Sequence, residues 1–302
     1  MRLVTRSDFD GLACAVLLNH IGLISEYKFA HPKDLQDGIV EINEQDVLAN
    51  VPYVPGCGMW FDHHTSESER LGEIKFKGSS YPAPSCARVI WDYYGGAQRF
   101  PDRLTPMMEA VDRVDSGHLT KDEIDNPQGW ILLGFIMDPR TGLGRYRDYR
   151  IGNYELMMNM IDYCANKTSD DILKIPDVLE RKERYFAQQA QFNDMITRNA
   201  TMHDNVLVVD LRKEDEIFTG NRFAMYSLFS GCNVSIQIIW GLKKQNVVLT
   251  VGYSILNRTC NVDIGALMYK YGGGGHRQVG TCQVPTENAE QAISEVIIAL
   301  KE

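Results

Sequence analysis

Long apolar runs are missing from this chain. No segment approaches the length of uninterrupted apolar residues that a membrane span needs. Acidic residues enter as early as Asp8, too soon for a secretory signal, so a cytoplasmic protein is the expectation. Paired cysteines are missing too. The seven cysteines are odd in number and widely spaced, with no CxxC. That excludes a disulfide framework and a structural zinc knuckle, and leaves buried free thiols as the plain reading. Basic runs are also absent, and the formal net charge is -9. A protein that grips long nucleic acid shows a basic face. This one is a poor candidate for tracking a duplex, although a bound divalent cation would let it hold a small anion. There is no tandem repeat and no low-complexity tract.

What is present is an alternation of short strands and helices. Leu3-Val4-Thr5, Val47-Leu48-Ala49 and Met59-Trp60-Phe61 are short apolar runs; residues 12–21, 86–94 and 104–114 read as helices. Strands alternating with helices predict a mostly parallel sheet. Residues 175–200 are charged and free of glycine, with Pro176 suited to a first helical turn and an apolar face of Leu179, Tyr185, Phe186, Phe192, Met195 and Ile196. This predicts a long amphipathic helix between two domains. Three strand-like runs follow (206–209, 234–240 and 247–253). Then come a helix over 264–271, a short strand near 281–284 and a closing helix over 289–300. The expected fold is α/β: an N-terminal, mostly parallel sheet domain flanked by helices, joined by a long helix to a smaller α/β domain. The expected boundaries are 1–185, a helical linker 186–202, and 203–302.

Three short pieces carry candidate chemistry. Ser7-Asp8-Phe9-Asp10-Gly11 and Phe61-Asp62-His63-His64 each follow an apolar strand; Val114-Asp115-Ser116-Gly117 follows a third apolar run. In an open parallel sheet, residues at the carboxyl ends of the strands converge in space. Carboxylates and imidazoles gathered there would suit a hard or borderline divalent ion such as Mn²⁺ or Mg²⁺. Such an ion polarises a phosphoryl oxygen and lowers the pKa of water. Each piece has a plainer reading as well. Asp8 and Asp10 suit a helix cap, Asp62-His63-His64 a solvated strand end, and Asp115 an ordinary turn.

The order of these pieces resembles the DHH phosphoesterase superfamily, of which nanoRNases and exopolyphosphatases are members. The resemblance extends to the C-terminal half. Tyr271-Gly272-Gly273-Gly274-Gly275-His276 is similar to the GGGH motif of the DHH-associated domain, and Ser254-Ile255-Leu256-Asn257-Arg258 to the arginine-bearing segment before it. The resemblance implies a divalent-metal-dependent phosphohydrolase. Asp8, Asp10, His63 and Asp115 would be metal ligands, and His64 would contact the scissile phosphate. Asp62 would orient a histidine. Arg258, Gly273, Gly274, Gly275 and His276 would hold substrate. The physics of that second set agrees: glycines let backbone N–H groups approach an anion, and a guanidinium offers a fork of donors.

Two positions depart from the family pattern. The family places a histidine ligand shortly before the first aspartate; here Arg6 and Val4 stand there, and residues 1–7 contain no histidine. The family also has a bridging aspartate at the end of a middle strand. Here that position is Asn50, unless the strand is shorter and Asp46 takes the role. Guanidinium carries only donors and cannot ligate a metal. One tightly bound ion is therefore expected, held by Asp10, His63 and Asp115 with Asn50 as a weak fourth ligand. Asp8 would pair with Arg6, which holds it ionised, or share the ion. Arg6 would then act on phosphate oxygens. The expected substrate is small: a short oligonucleotide, a dinucleotide or a nucleotide phosphate. The alternatives are an exopolyphosphatase and a catalytically weakened nucleotide-binding module. A homodimer is left open.

Overall fold

The computed structural model describes residues 1–64 and 70–301. They form two compact units, one of residues 1–118 with 126–185, the other of residues 119–125 with 186–302. The division falls within the helix Pro176–Arg198.

The first unit is built on a five-stranded sheet in the order β2-β1-β3-β4-β5. Its strands are β1 (Arg2–Thr5), β2 (Glu26–Phe29), β3 (Asp46–Ala49), β4 (Met59–Asp62) and β5 (Gly78–Ser80). Every pairing is parallel. A parallel sheet needs cover on both faces, and so its central strands carry continuous apolar runs, Val47-Leu48-Ala49 and Met59-Trp60-Phe61, rather than alternating. Every residue of β3 and β4 is buried, as are Leu3, Val4 and Thr5 of β1. One face carries Val4, Leu48 and Trp60 against Leu35, Val40 and Val51. The helix Phe9–His20 is apolar on all sides because it lies in the interior, with Phe9 to Leu18 buried. It packs against the helices Cys86–Tyr93, Thr105–Asp115 and Asn153–Asn166.

Parallel pairing in register sets the site. Arg2 pairs with Asp46 and Thr5 with Ala49 across β1 and β3, and Ala49 with Phe61 across β3 and β4. The carboxyl ends of three strands therefore lie side by side, and the chain leaves them at Arg6, Asn50 and His63. At the other end of β3, Asp46 is bound by the Arg2 guanidinium at 2.7 and 3.0 Å. Asp46 is thus spent on the far edge of the sheet, and Asn50 holds the position after β3.

The second unit has a six-stranded mixed sheet in the order β10-β11-β9-β8-β7-β6. Its strands are β6 (Ala200–His203), β7 (Val206–Asp210), β8 (Val234–Trp240), β9 (Asn246–Tyr253), β10 (Gly274–His276) and β11 (Val279–Pro285). Only β7 and β8 are parallel. One face packs on the helices Ile264–Tyr269 and Ala289–Leu300 through Ile236, Leu249, Val251, Met268, Ile293 and Val296. The other side of β11 is exposed, hence its strict alternation. The cysteines are all free, and six of them are buried. Among the described residues no helix is long and apolar enough to cross a membrane.

The expected first, middle and fourth strands and the principal helices are present within a few residues of the expected bounds. Strands β2, β5, β6 and β10 were not expected. They are short or polar, and they form by adding to an edge that a stronger strand supplies. The helix expected over 104–114 is present as Thr105–Asp115, and Asp115 is its last residue.

Gly11 shows how tightly the first turn is built. A Cβ there would lie 2.1 Å from the Arg6 carbonyl oxygen. Gly11→Ala should therefore cost about 1–3 kcal/mol, the usual range for forcing atoms into a packed site. A denaturation midpoint equal to that of the wild type would refute this account of the glycine.

Candidate active site

Asp8 opens the helix Phe9–His20 as its N-cap, accepting from Gly11 N at 3.0 Å. The capping role is thus real, and it does not exclude others. The same Oδ1 accepts from Asn50 Nδ2 at 3.1 Å, and Oδ2 lies 3.1 Å from Arg6 Nε. Asn50 reaches this position with a backbone φ of +57°, in the left-handed region that asparagine tolerates better than most residues. Burial raises the Asp8 pKa; Arg6 pulls it back, while the charge of Asp115 adds to the rise. Arg6 favours the ionised form of Asp8 as expected, but desolvation is the larger effect and the pKa is raised.

Asp10 lies two residues further on, within the first turn of the helix, and is buried. Its carboxylate receives the N-terminus of the helix Cys86–Tyr93, with Cys86 N donating to Oδ2 at 2.9 Å and Ala87 N to Oδ1 at 2.8 Å. Free N–H groups at a helix start favour an anion. Burial nevertheless pushes Asp10 up to about 7, helped by Asp115 and opposed by His63. The surplus of negative charge here is one a bound cation would relieve.

His63 leaves β4 with Nδ1 3.1 Å from the Ala83 carbonyl oxygen. That contact needs a proton on Nδ1, and in the neutral ring this leaves the lone pair on Nε2. Nε2 is buried without a hydrogen-bond partner. It lies 3.7 Å from Asp10 Oδ2 and 3.4 Å from Asp115 Oδ2. One donor atom each from Asp10, His63 and Asp115 falls within 4.8 Å of the others, a set suited to a metal ion. An imidazole lone pair facing two carboxylates is a poor arrangement for a protein alone and a good one around a divalent cation.

The third leg of this set is braced from behind. Asp112, one turn before Asp115, accepts from Ser85 Oγ at 2.7 Å and from Arg88 Nη2 at 2.6 Å. Ser85 also caps the helix that binds Asp10. One network therefore fixes two of the three donor groups.

His64 stands beside His63, with ring centroids 4.2 Å apart. Its Nδ1 is 2.8 Å from Asp62 Oδ1. Burial opposes protonation of His64, but the Asp62 hydrogen bond and charge overcome it and raise its pKa. Asp62 thus orients His64, while His63 is oriented by a backbone carbonyl. Asn50 is drawn to Asp8 through its amide nitrogen, and its Oδ1 is buried without a partner.

Two groups were invisible to sequence reading. Asp138 and Arg140 share a small cleft with Asp8, Asp10 and Asp115. They follow the helix Gly129–Met137, far along the chain, and Asp-Pro-Arg reads as an ordinary turn. Only the fold brings them in.

In the second unit, Gly274 to His276 form β10, paired antiparallel with β11. A Cβ at Gly273 would lie 2.2 Å from Thr281 O, and one at Gly275 2.2 Å from Val279 O. Close strand approach accounts for those two glycines. Gly274 has open space around it. Arg258 lies in the loop after β9, with Nε donating to Ile255 O at 3.2 Å.

The first unit thus has the makings of a metal-assisted phosphoester hydrolase: a cation-shaped donor set at the carboxyl edge of a parallel sheet. No protein-family profile matches the chain, and no curated protein does. Solved structures do. A pGpG-specific phosphodiesterase, PggH from Vibrio cholerae, is 48% identical, with 99% of this chain and 98% of that one covered and a TM-score of 0.84. An exopolyphosphatase-related protein from Bacteroides fragilis is 14% identical over 100% of this chain and 93% of that one, with a TM-score of 0.53. RecJ from Thermus thermophilus in complex with Mn²⁺ is 10% identical over 100% of this chain and 52% of that one, with a TM-score of 0.51. The last two share the fold. The chain belongs to the DHH phosphoesterase superfamily and is a phosphoester hydrolase.

His63→Ala should reduce Mn²⁺ affinity by more than about a hundredfold, since even residues that only orient a ligand cost 10–100-fold. Calorimetric titration of the folded variant checks this; wild-type affinity would remove the Asp10-His63-Asp115 set from consideration.

Proposed function

We propose that the enzyme hydrolyses a short linear dinucleotide, pGpG or a close analogue, with one divalent ion per chain. The observation that carries the reading is the buried, unpartnered His63 Nε2 facing Asp10 and Asp115. The 48% identity to a pGpG-specific phosphodiesterase over nearly the whole of both chains supports the substrate.

Asp10, His63 and Asp115 would hold the ion, Mn²⁺ or Mg²⁺, with Asn50 Oδ1 as a further donor. When bound, the ion polarises a phosphoryl oxygen and lowers the pKa of water. The remaining tasks fall to the chain. His64, biased toward its cationic form by Asp62, donates to the scissile phosphate. Arg6 offers a fixed positive charge beside it. Arg258, the backbone of Gly273, Gly274 and Gly275, and His276 are assigned to the substrate. Residues 1–185 would carry catalysis, 186–202 the linking helix and 203–302 substrate binding.

The surroundings of Asp8 support the reading of a single ion. Its oxygens already receive an amide N–H, an asparagine Nδ2 and a guanidinium. A guanidinium satisfies this carboxylate and repels a cation at the same time. Elemental analysis should find one tightly bound ion per chain, and Arg6→His combined with Asn50→Asp should add a second. Two ions at full occupancy in the wild type would overturn the one-ion reading.

The activity itself is tested by product release from pGpG, a cyclic dinucleotide, polyphosphate and pyrophosphate, each with Mn²⁺, Mg²⁺ or chelator. We expect cleavage of pGpG, lost in chelator. Activity on polyphosphate alone would refute the substrate assignment. Arg258→Ala should raise KM for pGpG about tenfold or more, as loss of a charged hydrogen-bond partner does, with metal content unchanged. An unchanged KM would release Arg258 from the substrate.

A further inference from the structure

Arg140 is the strongest unassigned group in the first unit. It lies in the turn Pro139–Thr141, directly after the helix Gly129–Met137. Asp138 opens that turn and is buried. Its Oδ1 accepts from Arg140 N at 2.8 Å and from Arg140 Nε at 2.7 Å. The guanidinium is thereby held by one edge, next to its own backbone. Among the described residues, Nη1 and Nη2 make no hydrogen bond to the protein. The side chain is about half exposed, at 47%. It opens onto the cleft that Asp8, Asp10, Asp115 and Asp138 line. Both Asp8 and Asp115 are near enough to act on its charge.

A structural arginine normally spends its outer nitrogens on carbonyls or carboxylates, as Arg181 does on Asp177 O and Ile151 O. Arg140 instead bonds the protein through its backbone N and Nε, and the residue lines the cleft. A planar pair of donors, anchored from behind, is the geometry that recognises phosphate. Charge points the same way. Four carboxylates line the cleft, and Arg6 with one divalent ion leaves them one negative charge in excess. Arg140 cancels that excess. Without it, an anionic phosphodiester would enter a site of its own sign.

We propose that Arg140 is a phosphate-binding residue of this site, its outer nitrogens taking non-bridging oxygens of the substrate and its position fixed by Asp138. The assignment rests on the phosphohydrolase reading above. Arg6 and Arg140 then stand on the Asp8 side of the cleft, where they supply positive charge without a second cation.

The test uses Arg140→Ala and Arg140→Lys in the full chain and measures two equilibria besides turnover. The affinity for pGpG should fall about tenfold or more in Arg140→Ala, with KM rising in parallel. Mn²⁺ affinity, measured without nucleotide, should hold or tighten, because a repelling cation has gone. Arg140→Lys should recover only part of the pGpG affinity, since an ammonium cannot pair with Asp138 and present a fork together. These opposite signs separate the proposal from simple damage, which weakens both ligands and lowers Tm. If Arg140→Ala loses metal and nucleotide together, or binds and cleaves pGpG as the wild type does, the assignment is wrong. A wild-type protein that neither binds nor cleaves pGpG would instead sink the function on which it rests.

Discussion

Two aspartates two residues apart, both buried at the start of one helix, are the constraint on which this site is built. Carboxylates taken out of water must be satisfied or they protonate. The chain solves the problem twice, by different means. Asp10 is met by the N-terminus of the helix Cys86–Tyr93 and remains directed at His63. Asp8 is met by Gly11, Asn50 and Arg6. The first solution uses backbone dipoles, which cannot neutralise a full charge, and so leaves demand for a cation. The second supplies a full charge of its own. That difference gives the two carboxylates unlike surroundings, one facing an imidazole and one facing a guanidinium.

The sheet explains why these groups sit so close. Register places the ends of β1, β3 and β4 side by side, so Arg6, Asn50 and His63 are neighbours by pairing alone. Substitutions at two of those three ends are then coupled. A guanidinium after β1 next to an aspartate after β3 would make a competing ion pair; an asparagine after β3 donates to Asp8 from the other side. Arg6 and Asn50 are consistent with each other as a pair in a way that neither is alone. The location of Asp46 supports this, since its charge is consumed by Arg2 at the opposite edge of the sheet.

Much of this was legible in the chain before folding. Leu3-Val4-Thr5 and Met59-Trp60-Phe61 announced buried parallel strands because both faces had to be apolar, and the polar residues at their ends followed. The long helix was marked by its periodicity and by Pro176. Other features were closed to sequence reading for physical reasons. β10 is a glycine segment with no strand propensity, formed because Gly273 and Gly275 let it approach β11. Asp115 looked like a turn residue because its helix ends there. The partner of His63 is a carbonyl, Ala83 O, and backbone atoms carry no sequence signal.

Arg140 belongs to the same category and shows its cause most clearly. Asp138-Pro139-Arg140 has the composition of a surface turn, and locally it is one: the aspartate caps the turn and the arginine returns to it. What makes the turn more than that is Gly134, four residues earlier. A Cβ there would press on Phe9 at 2.9 Å and on Val114 at 3.2 Å. Phe9 separates Asp8 from Asp10, and Val114 precedes Asp115. The glycine thus lets the helix Gly129–Met137 approach the two segments that carry the acidic residues, and the turn at its end arrives at their cleft. A packing allowance at one glycine, with no chemistry of its own, decides whether a distant arginine becomes part of the site.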